Sequence, residues 1–414
     1  MKPRVSLGAL TEPQFRLLFL GRAATAIGDR MAVLALPFAV LAITRSVSAL
    51  GVVLACGTVS MVVFLLVGGV FADRLSRRNV MISADLVRAL SQGGVAILLI
   101  SGEADVWNLA LAQTVNGAAS AFFTPAAQGL IPDTVSADRL QQANALLGVS
   151  RNVTGIGGPA VAGLLVATAG PGWALGIDAL TFLASAVLLS RLSLPPVERS
   201  PTSVVTDLRE GWAEFTGRTW IWASVVNFAL FQLIVLASWV VLGPYVAETE
   251  LGGASAWAII LVAGSMGALC GSAIALRWIP VQTGIVMFAM VALFGPQLAL
   301  LAISAPVLVI AAGAAVASAT MSVFNALWFT TLQERTPAHA RSRVSSYDWV
   351  GSMIFLPVGM ALVGPISNGI GVTTTLLIAA LWAVAGSLFM LLLPFIRGLR
   401  TDDSSHVASA TPDE

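Results

Sequence analysis

Long apolar runs alternate with short polar breaks along the whole chain. Bounded by charge, Gly or Pro, the runs occupy residues 15–43, 48–71, 79–101, 106–130, 143–169, 172–193, 220–246, 253–276, 281–303, 306–332, 344–368 and 371–396. Each is near the ~20 residues that a helix needs to cross a hydrocarbon core of about 30 Å. The spacing therefore predicts an all-α membrane protein with twelve transmembrane helices, and leaves no length for a sizeable soluble domain.

Composition agrees. Of 414 residues, 57% are hydrophobic and 10% charged, and the mean hydropathy is +0.88. These values exclude a soluble globular enzyme. The net charge of +1 excludes bulk attraction to nucleic acid and makes charge placement the more informative quantity. Lys2 is the only lysine. Arg74, Arg77, Arg78, Arg139, Arg191, Arg199, Arg209, Arg218, Arg277, Arg335, Arg341 and Arg343 fall in loops on one side, against only Arg45 in the loops of the other. The positive-inside rule then puts both termini in the cytoplasm, and twenty-one arginines against one lysine, with abundant Ala and Gly, point to a high-GC bacterial genome and so to a bacterial plasma membrane. Cys56 and Cys270 lie inside apolar runs and read as small hydrophobes, not as a disulfide or metal ligands. Glu12 and Arg16 precede the first run and no small-residue cleavage site follows, so the first helix reads as a retained anchor.

The longest polar segment, 193–219, carries Pro195, Pro196 and Pro201 and then an amphipathic stretch, Asp207 to Phe215, suited to lying along a membrane surface. It separates an N-terminal bundle (1–193) from a C-terminal bundle (220–396), with 194–219 as linker. Residues 397–414, rich in Asp, Ser and Thr, read as a disordered cytoplasmic tail. A weak repeat supports two pseudo-symmetric halves of six helices. Gln128 and Pro132 recur as Gln333 and Pro337, and Gly158-Pro159 as Gly364-Pro365, all displaced by about 205 residues.

The segment from Gly69 to Arg78 reads Gly-Val-Phe-Ala-Asp-Arg-Leu-Ser-Arg-Arg. It resembles the loop between the second and third helices of the major facilitator superfamily: Gly, three residues, Asp-Arg, one residue, Gly, then two basic residues. Gly69, Asp73, Arg74, Arg77 and Arg78 match, and Ser76 replaces the second Gly. The resemblance implies a latch between the halves, with its partner near Ser345 to Asp348. Asp85 and Arg88, three residues apart on one face of the third helix, read either as an extension of that latch or as an intrahelical pair.

On helix five, Gly155, Gly158, Pro159 and Gly163 produce close-packing notches and remove one helix hydrogen bond. They resemble the Gly-Pro motif of antiporter-type members, here with Leu164 after Gly163, and imply export. Gly28-Asp29, together with Phe123 to Pro132 and Gln142 to Leu146, is similar to the macrolide-efflux and drug:proton antiporter-like branch, associated with antibiotic resistance.

Charges inside apolar helices are costly and mark function. Arg22 and Asp29 are seven residues apart on one face of helix one, with Arg30 turned about 100° away. Asp29 is a candidate proton carrier that alternates between a protonated and a paired state; a permanent pair with Arg22 or Arg151 is the competing reading. Arg151, on helix five, is equally a candidate partner for Asp85. Asp178 and Asp348 read first as helix-terminus groups. Gln113, Asn116, Asn227, Phe228, Phe231, Gln232, Trp239, Asn325 and Trp328 are candidates to line a site for amphipathic solutes near the midplane.

The chain has no Walker loop, no Gly-x-Ser-x-Gly and no paired Cys or His ligand spacing, and its only histidines are His339 and His406. No enzyme, metal centre or cofactor is expected; a proton gradient is the expected energy source. The expected function is proton-coupled export of a drug-like or secondary-metabolite molecule by a monomer whose partners are solute, protons and lipid. An importer or siderophore exporter of the same fold is the nearest rival. A non-transporting receptor or scaffold is the rival of another class.

Overall fold

The computed structural model describes residues 7–193, 212, 214–278, 280–336 and 341–400, with backbone alone for 66–74, 342, 343 and 346. Contacts divide the chain into two compact units. One is Met1–Ser200 with Pro244–Val262, and the other is Pro201–Gly243 with Ala263–Glu414.

The first unit holds α1 (Pro13–Thr44), α2 (Val47–Arg74), α3 (Arg77–Ser101), α4 (Val106–Leu130), α5 (Leu140–Thr168) and α6 (Pro171–Ser190). Beyond it follow α7 (Thr219–Leu251), α8 (Ala254–Ala275), α9 (Thr283–Ala302), α10 (Val307–Arg335), α11 (Tyr347–Ile370) and α12 (Val372–Leu392). Helices and expected runs agree to within a few residues. Among the described residues, ten helices are long and apolar enough to cross a membrane. The other two, α4 and α5, are long enough but carry more polar groups, including Gln113, Asn116, Arg151 and Asn152.

Local chemistry sets the ends. Pro13 opens α1 and Pro171 opens α6, positions where the missing N–H costs nothing. The Asp105 carboxylate caps α4 by accepting from the Asn108 N–H at 2.8 Å. Pro159 lies inside α5, which continues through it.

In the first unit α1 packs on α5 and α6, α3 on α4 and α6, and α2 on α4. In the second, α7 packs on α11 and α12, and α9 on α10 and α12. The same pairings thus recur six helices later. The α2–α4 crossing is so close that a Cβ on Gly117 would strike the Gly57 carbonyl. Gly267 and Gly271 of α8 meet the Ala315 and Ala319 carbonyls of α10 in the same way, as small residues allow in membrane helices.

Outward faces stay apolar: Leu90 and Leu308 are 76% exposed and Leu381 69%, a surface that water would not tolerate but hydrocarbon does. Inside the first unit, Phe15, Leu18, Met81, Ala126 and Leu189 form one buried cluster. Beside it the first loop arginines close two helix ends. Arg77 donates to the Gly129 carbonyl at 2.7 Å and pairs with Asp133 at 3.3 Å. Arg78 donates to the carbonyls of Leu189, at 3.1 Å, and Ser190. Both place positive charge on the carbonyl ends of α4 and α6, where the helix dipole favours it. Of the other residues expected to form a latch, Asp73 and Arg74 have side chains outside the described set, and Gly69 is described by its backbone.

Most of the 194–219 linker lies outside the described residues; within it Trp212 stacks on Phe215 at 5.9 Å and meets Tyr347 edge-on at 5.5 Å, with Phe215 tilted on Tyr347 at 5.8 Å. The disordered tail was expected from residue 397, whereas 397–400 are anchored. The Leu399 carbonyl accepts from the Gly284 N–H at 3.1 Å and the Arg400 carbonyl from Arg335 at 2.8 Å.

Gly117→Ala is expected to lower the thermal unfolding midpoint in detergent, with a cost of about 1–3 kcal/mol for the overpacked crossing. Gly94→Ala, where an added Cβ meets nothing within 4 Å, should leave it unchanged or raised; equal midpoints for the two variants would contradict the close crossing. Arg78→Gln should cost about 1–2 kcal/mol through the lost carbonyl contacts of α6, read as faster limited proteolysis near residue 190.

Candidate functional site

Gly21 and Gly28 lie on one face of α1, where they let it sit directly on α6. An added Cβ on Gly21 would lie 3.2 Å from the Ser185 hydroxyl, and one on Gly28 would overlap Thr181 and Asp178. That seating turns Arg22, Ala26, Asp29 and Val33 to the opposite side. There they line a cavity of ≈ 340 Å³ together with residues of α3, α4 and α5. Gly158 of α5 leaves the space that the Arg30 side chain occupies, which brings Arg30 and Arg151 into the same cavity.

At its floor, Arg88 forms an ion pair with Asp29. Its side chain is 7% exposed, against 46% for Asp29. Arg88 Nε donates to Asn116 Oδ1 at 3.2 Å, and its guanidinium carbon sits 3.9 Å from the centre of the Phe182 ring. Three different helices therefore hold it in one orientation, with cation–π attraction strengthened by burial.

The partner of Asp29 is thus Arg88, not Arg22 or Arg151. Seven residues along a helix amount to about 10 Å of rise, too far for Arg22 to reach Asp29, whereas α3 delivers Arg88 at the same level. By the same token Arg88 is committed to α1 and not to Asp85. The Asp85 carboxylate is fully buried. It faces the Ser185 hydroxyl, and neither forms a well-directed hydrogen bond.

Asp178 departs from its expected place near a helix terminus. It lies two turns into α6 and is fully buried. One of its oxygens accepts from Gln92 at 3.0 Å and the other has no partner among the described residues. Gln92 in turn accepts from Gln113 at 3.5 Å. Asp85 and Asp178 thus lie buried near the Asp29–Arg88 pair, but Arg88 itself pairs with Asp29 alone among the carboxyl groups. The spacing of Gly21 and Gly28 was the available sign that α1 and α6 meet here; nothing in the sequence marked Gln92, Phe182 or Ser185.

The second unit has its own cavity, ≈ 140 Å³, lined by Phe228, Phe324, Asn325, Trp328 and Asp348. Phe228 stacks on Phe324 at 5.6 Å and Phe324 on Trp328 at 6.3 Å. Asp348 had been expected to stabilise a helix start or join the latch. Helical backbone begins earlier, at Arg341, and the buried Asp348 carboxylate accepts from Trp328 Nε1 at 3.1 Å.

The other lining candidates of the second unit spend their polarity on packing. Asn227 donates to the Gly386 carbonyl at 3.3 Å, and buried Gln232 to the Met353 sulfur at 3.0 Å. Phe231 and Trp239 both pack edge-on to Phe294. Gln232 opens a one-turn π-helical stretch, Gln232–Leu236, the local widening often found at functional positions. In the first unit Gly163 abuts Ala258, and Gly155 and Pro159 lie buried in α5. Among the described residues no group of His, Cys, Asp and Glu has the arrangement to hold a metal ion.

The sequence and fold have known counterparts. Residues 18–359 match the family model of the Major Facilitator Superfamily. The multidrug efflux pump Tap of Mycolicibacterium fortuitum is 27% identical over 404 residues, 92% of this chain and 96% of that protein. The enterobactin exporter EntS of Escherichia coli O139:H28 is 29% identical over 187 residues, 45% of each chain. Among solved structures, the nucleoside transporter NupG superposes with a TM-score of 0.72 at 15% identity, covering 94% of this chain and 100% of that one. Ten apolar helices, an apolar outer surface and charged groups gathered around an internal cavity belong together in one kind of molecule, and the match over residues 18–359 identifies it: the chain is a member of the major facilitator superfamily, a multi-pass membrane transporter and not an enzyme.

Proposed function

We propose that the protein exports an organic small molecule from a bacterial cytoplasm in exchange for protons. It works as a monomer in the plasma membrane, with both termini in the cytoplasm. Its twelve helices form two six-helix bundles, 1–193 and 220–396, joined by the linker 194–219, and it moves solute by alternating access.

The observation that carries this reading is the Asp29–Arg88 ion pair in the wall of a cavity large enough for a solute, with the carboxyl groups of Asp85 and Asp178 buried nearby. Ionisable groups inside a membrane helix bundle are costly unless function retains them. A proton gained at this cluster weakens the pull of Asp29 on Arg88, and so the tie between α1 and α3. Because Asp29 is half-exposed to the cavity, solute and proton meet at one residue. The Gly69–Arg78 segment acts as the cytoplasmic latch, with Arg77 and Arg78 bracing it on α4 and α6.

Export, in preference to import, is supported by the similarity to a multidrug efflux pump along nearly the whole chain and by the resemblance of Gly155, Gly158, Pro159 and Gly163 to the Gly-Pro motif of antiporter-type members. If the solute is an antibiotic, export confers resistance. Siderophore export is the second reading, favoured by the similarity to an enterobactin exporter over 187 residues.

In inverted membrane vesicles with an acidic interior, addition of a transported solute from a panel of fluorescent cations, anions and neutral antibiotics should dissipate the pH gradient. Asp29→Asn should abolish that dissipation while leaving downhill exchange of the same solute within about twofold of wild type. Gradient loss unchanged by Asp29→Asn removes this carboxyl from coupling, and no flux for any solute favours the non-transporting reading. Arg88→Gln should destabilise the protein by about 2 kcal/mol, less than for a fully buried pair because Asp29 is half-exposed. The double variant Asp29→Asn/Arg88→Gln should recover most of that loss in thermal unfolding.

A further inference from the structure

The charge lining the first-unit cavity is one-sided. Arg22, Arg30, Arg88 and Arg151 face it, against Asp29 as its one carboxylate. Arg88 is already committed to Asp29, Asn116 and the Phe182 ring. No ion pair or side-chain hydrogen bond holds the guanidinium groups of Arg22, Arg30 and Arg151 among the described residues, and Arg22 and Arg151 are near enough to repel each other. Gathering like charges in a partly enclosed space costs energy that an incoming anion offsets, and low local dielectric enlarges both terms. Phe123, Leu147, Ala26 and Val33 supply an apolar wall to the same space.

We propose that this cavity takes an organic anion, with a carboxylate, phosphate or similar oxyanion held between Arg22 and Arg151 and an apolar or aromatic body against Phe123 and Leu147. Planar guanidinium groups bind such oxyanions through two parallel hydrogen bonds. The cavity of ≈ 340 Å³ falls within the usual range for small-molecule sites. A lipophilic cation would add one more positive charge to a site that already has three to spare. The inference rests on reading this cavity as the solute site and gives that solute its chemical class.

The test is equilibrium binding, which needs no gradient. Full-length protein in nanodiscs of zwitterionic phosphatidylcholine is titrated against fluorescein and against a cationic rhodamine ester, xanthenes of similar size and opposite charge, with fluorescence anisotropy as readout. Wild type should bind fluorescein about tenfold or more tightly than the rhodamine. Arg22→Gln/Arg151→Gln should weaken fluorescein binding by about tenfold or more, and Arg22→Lys/Arg151→Lys, which keeps the charge but loses the two-point hydrogen bonding, should weaken it less than the Gln pair does. If the double Gln variant does not fold, Arg151→Gln alone is read in the same way. Preference for the rhodamine, or equal fluorescein affinity in wild type and Gln variants, overturns the proposal.

A repeat in nanodiscs containing phosphatidylglycerol separates two sources of anion. Weakened fluorescein binding in wild type but not in the Gln variants would assign the oxyanion to a lipid headgroup and overturn the free solute as occupant; unchanged binding supports the free solute. Loss of anion preference with coupled flux intact removes only the substrate class. Retained binding with flux insensitive to Asp29→Asn removes only the coupling.

Discussion

Arg88 is the group on which the arrangement of the first unit depends. It is nearly buried, so its charge has to be met from within the protein: by the Asp29 carboxylate of α1, the Asn116 amide of α4 and the ring face of Phe182 on α6. Removing any one partner leaves a charge in surroundings that cannot hydrate it. The same demand fixes the height of α1 against α3, and with it the face that α1 presents to the cavity. Glycines then make the geometry possible, since Gly28 admits α1 to α6 and Gly158 admits Arg30 to α5.

The two units solve one packing problem with different chemistry. Their helices pair in the same pattern, and both use small residues at the tightest crossing, Gly57 with Gly117 and Gly267 with Ala315. The first unit holds charge in its interior: the Asp29–Arg88 pair, the buried Asp85 and Asp178, and three more arginines around a cavity. The second fills its own with rings, Phe228, Phe324 and Trp328 in a stack that ends on Asp348. The cavity of the first unit is thus walled largely by charge and that of the second by aromatic rings.

Helix positions, the all-α membrane class and the family resemblance were legible along the chain because hydrocarbon imposes a simple rule: about 20 apolar residues for each crossing and no unsatisfied backbone. The motif from Gly69 to Arg78, the Gly-Pro pair on α5 and the importance of Asp29 could all be read from single stretches of sequence. What a charge does could not. Arg22 and Asp29 look paired on a helical wheel, yet the rise of α1 separates them, and the true partner comes from 59 positions away. Asp178 looked like a helix-terminus group, but it lies buried against Gln92. Gln232 and Asn227 looked like lining and turned out to bond to Met353 and Gly386.

The sequence by itself determined that this chain lives in a membrane, where its helices run and which residues carry its few internal charges, since those depend on local composition and period alone. Only the tertiary structure decided which charges cancel and which remain. Ion pairing depends on distances of a few ångströms between helices remote in sequence, and those distances follow from where glycine lets two backbones touch. That is why the surplus of arginine around one cavity, and the pairing of Arg88 with Asp29, became visible only once α1, α3, α5 and α6 were packed together.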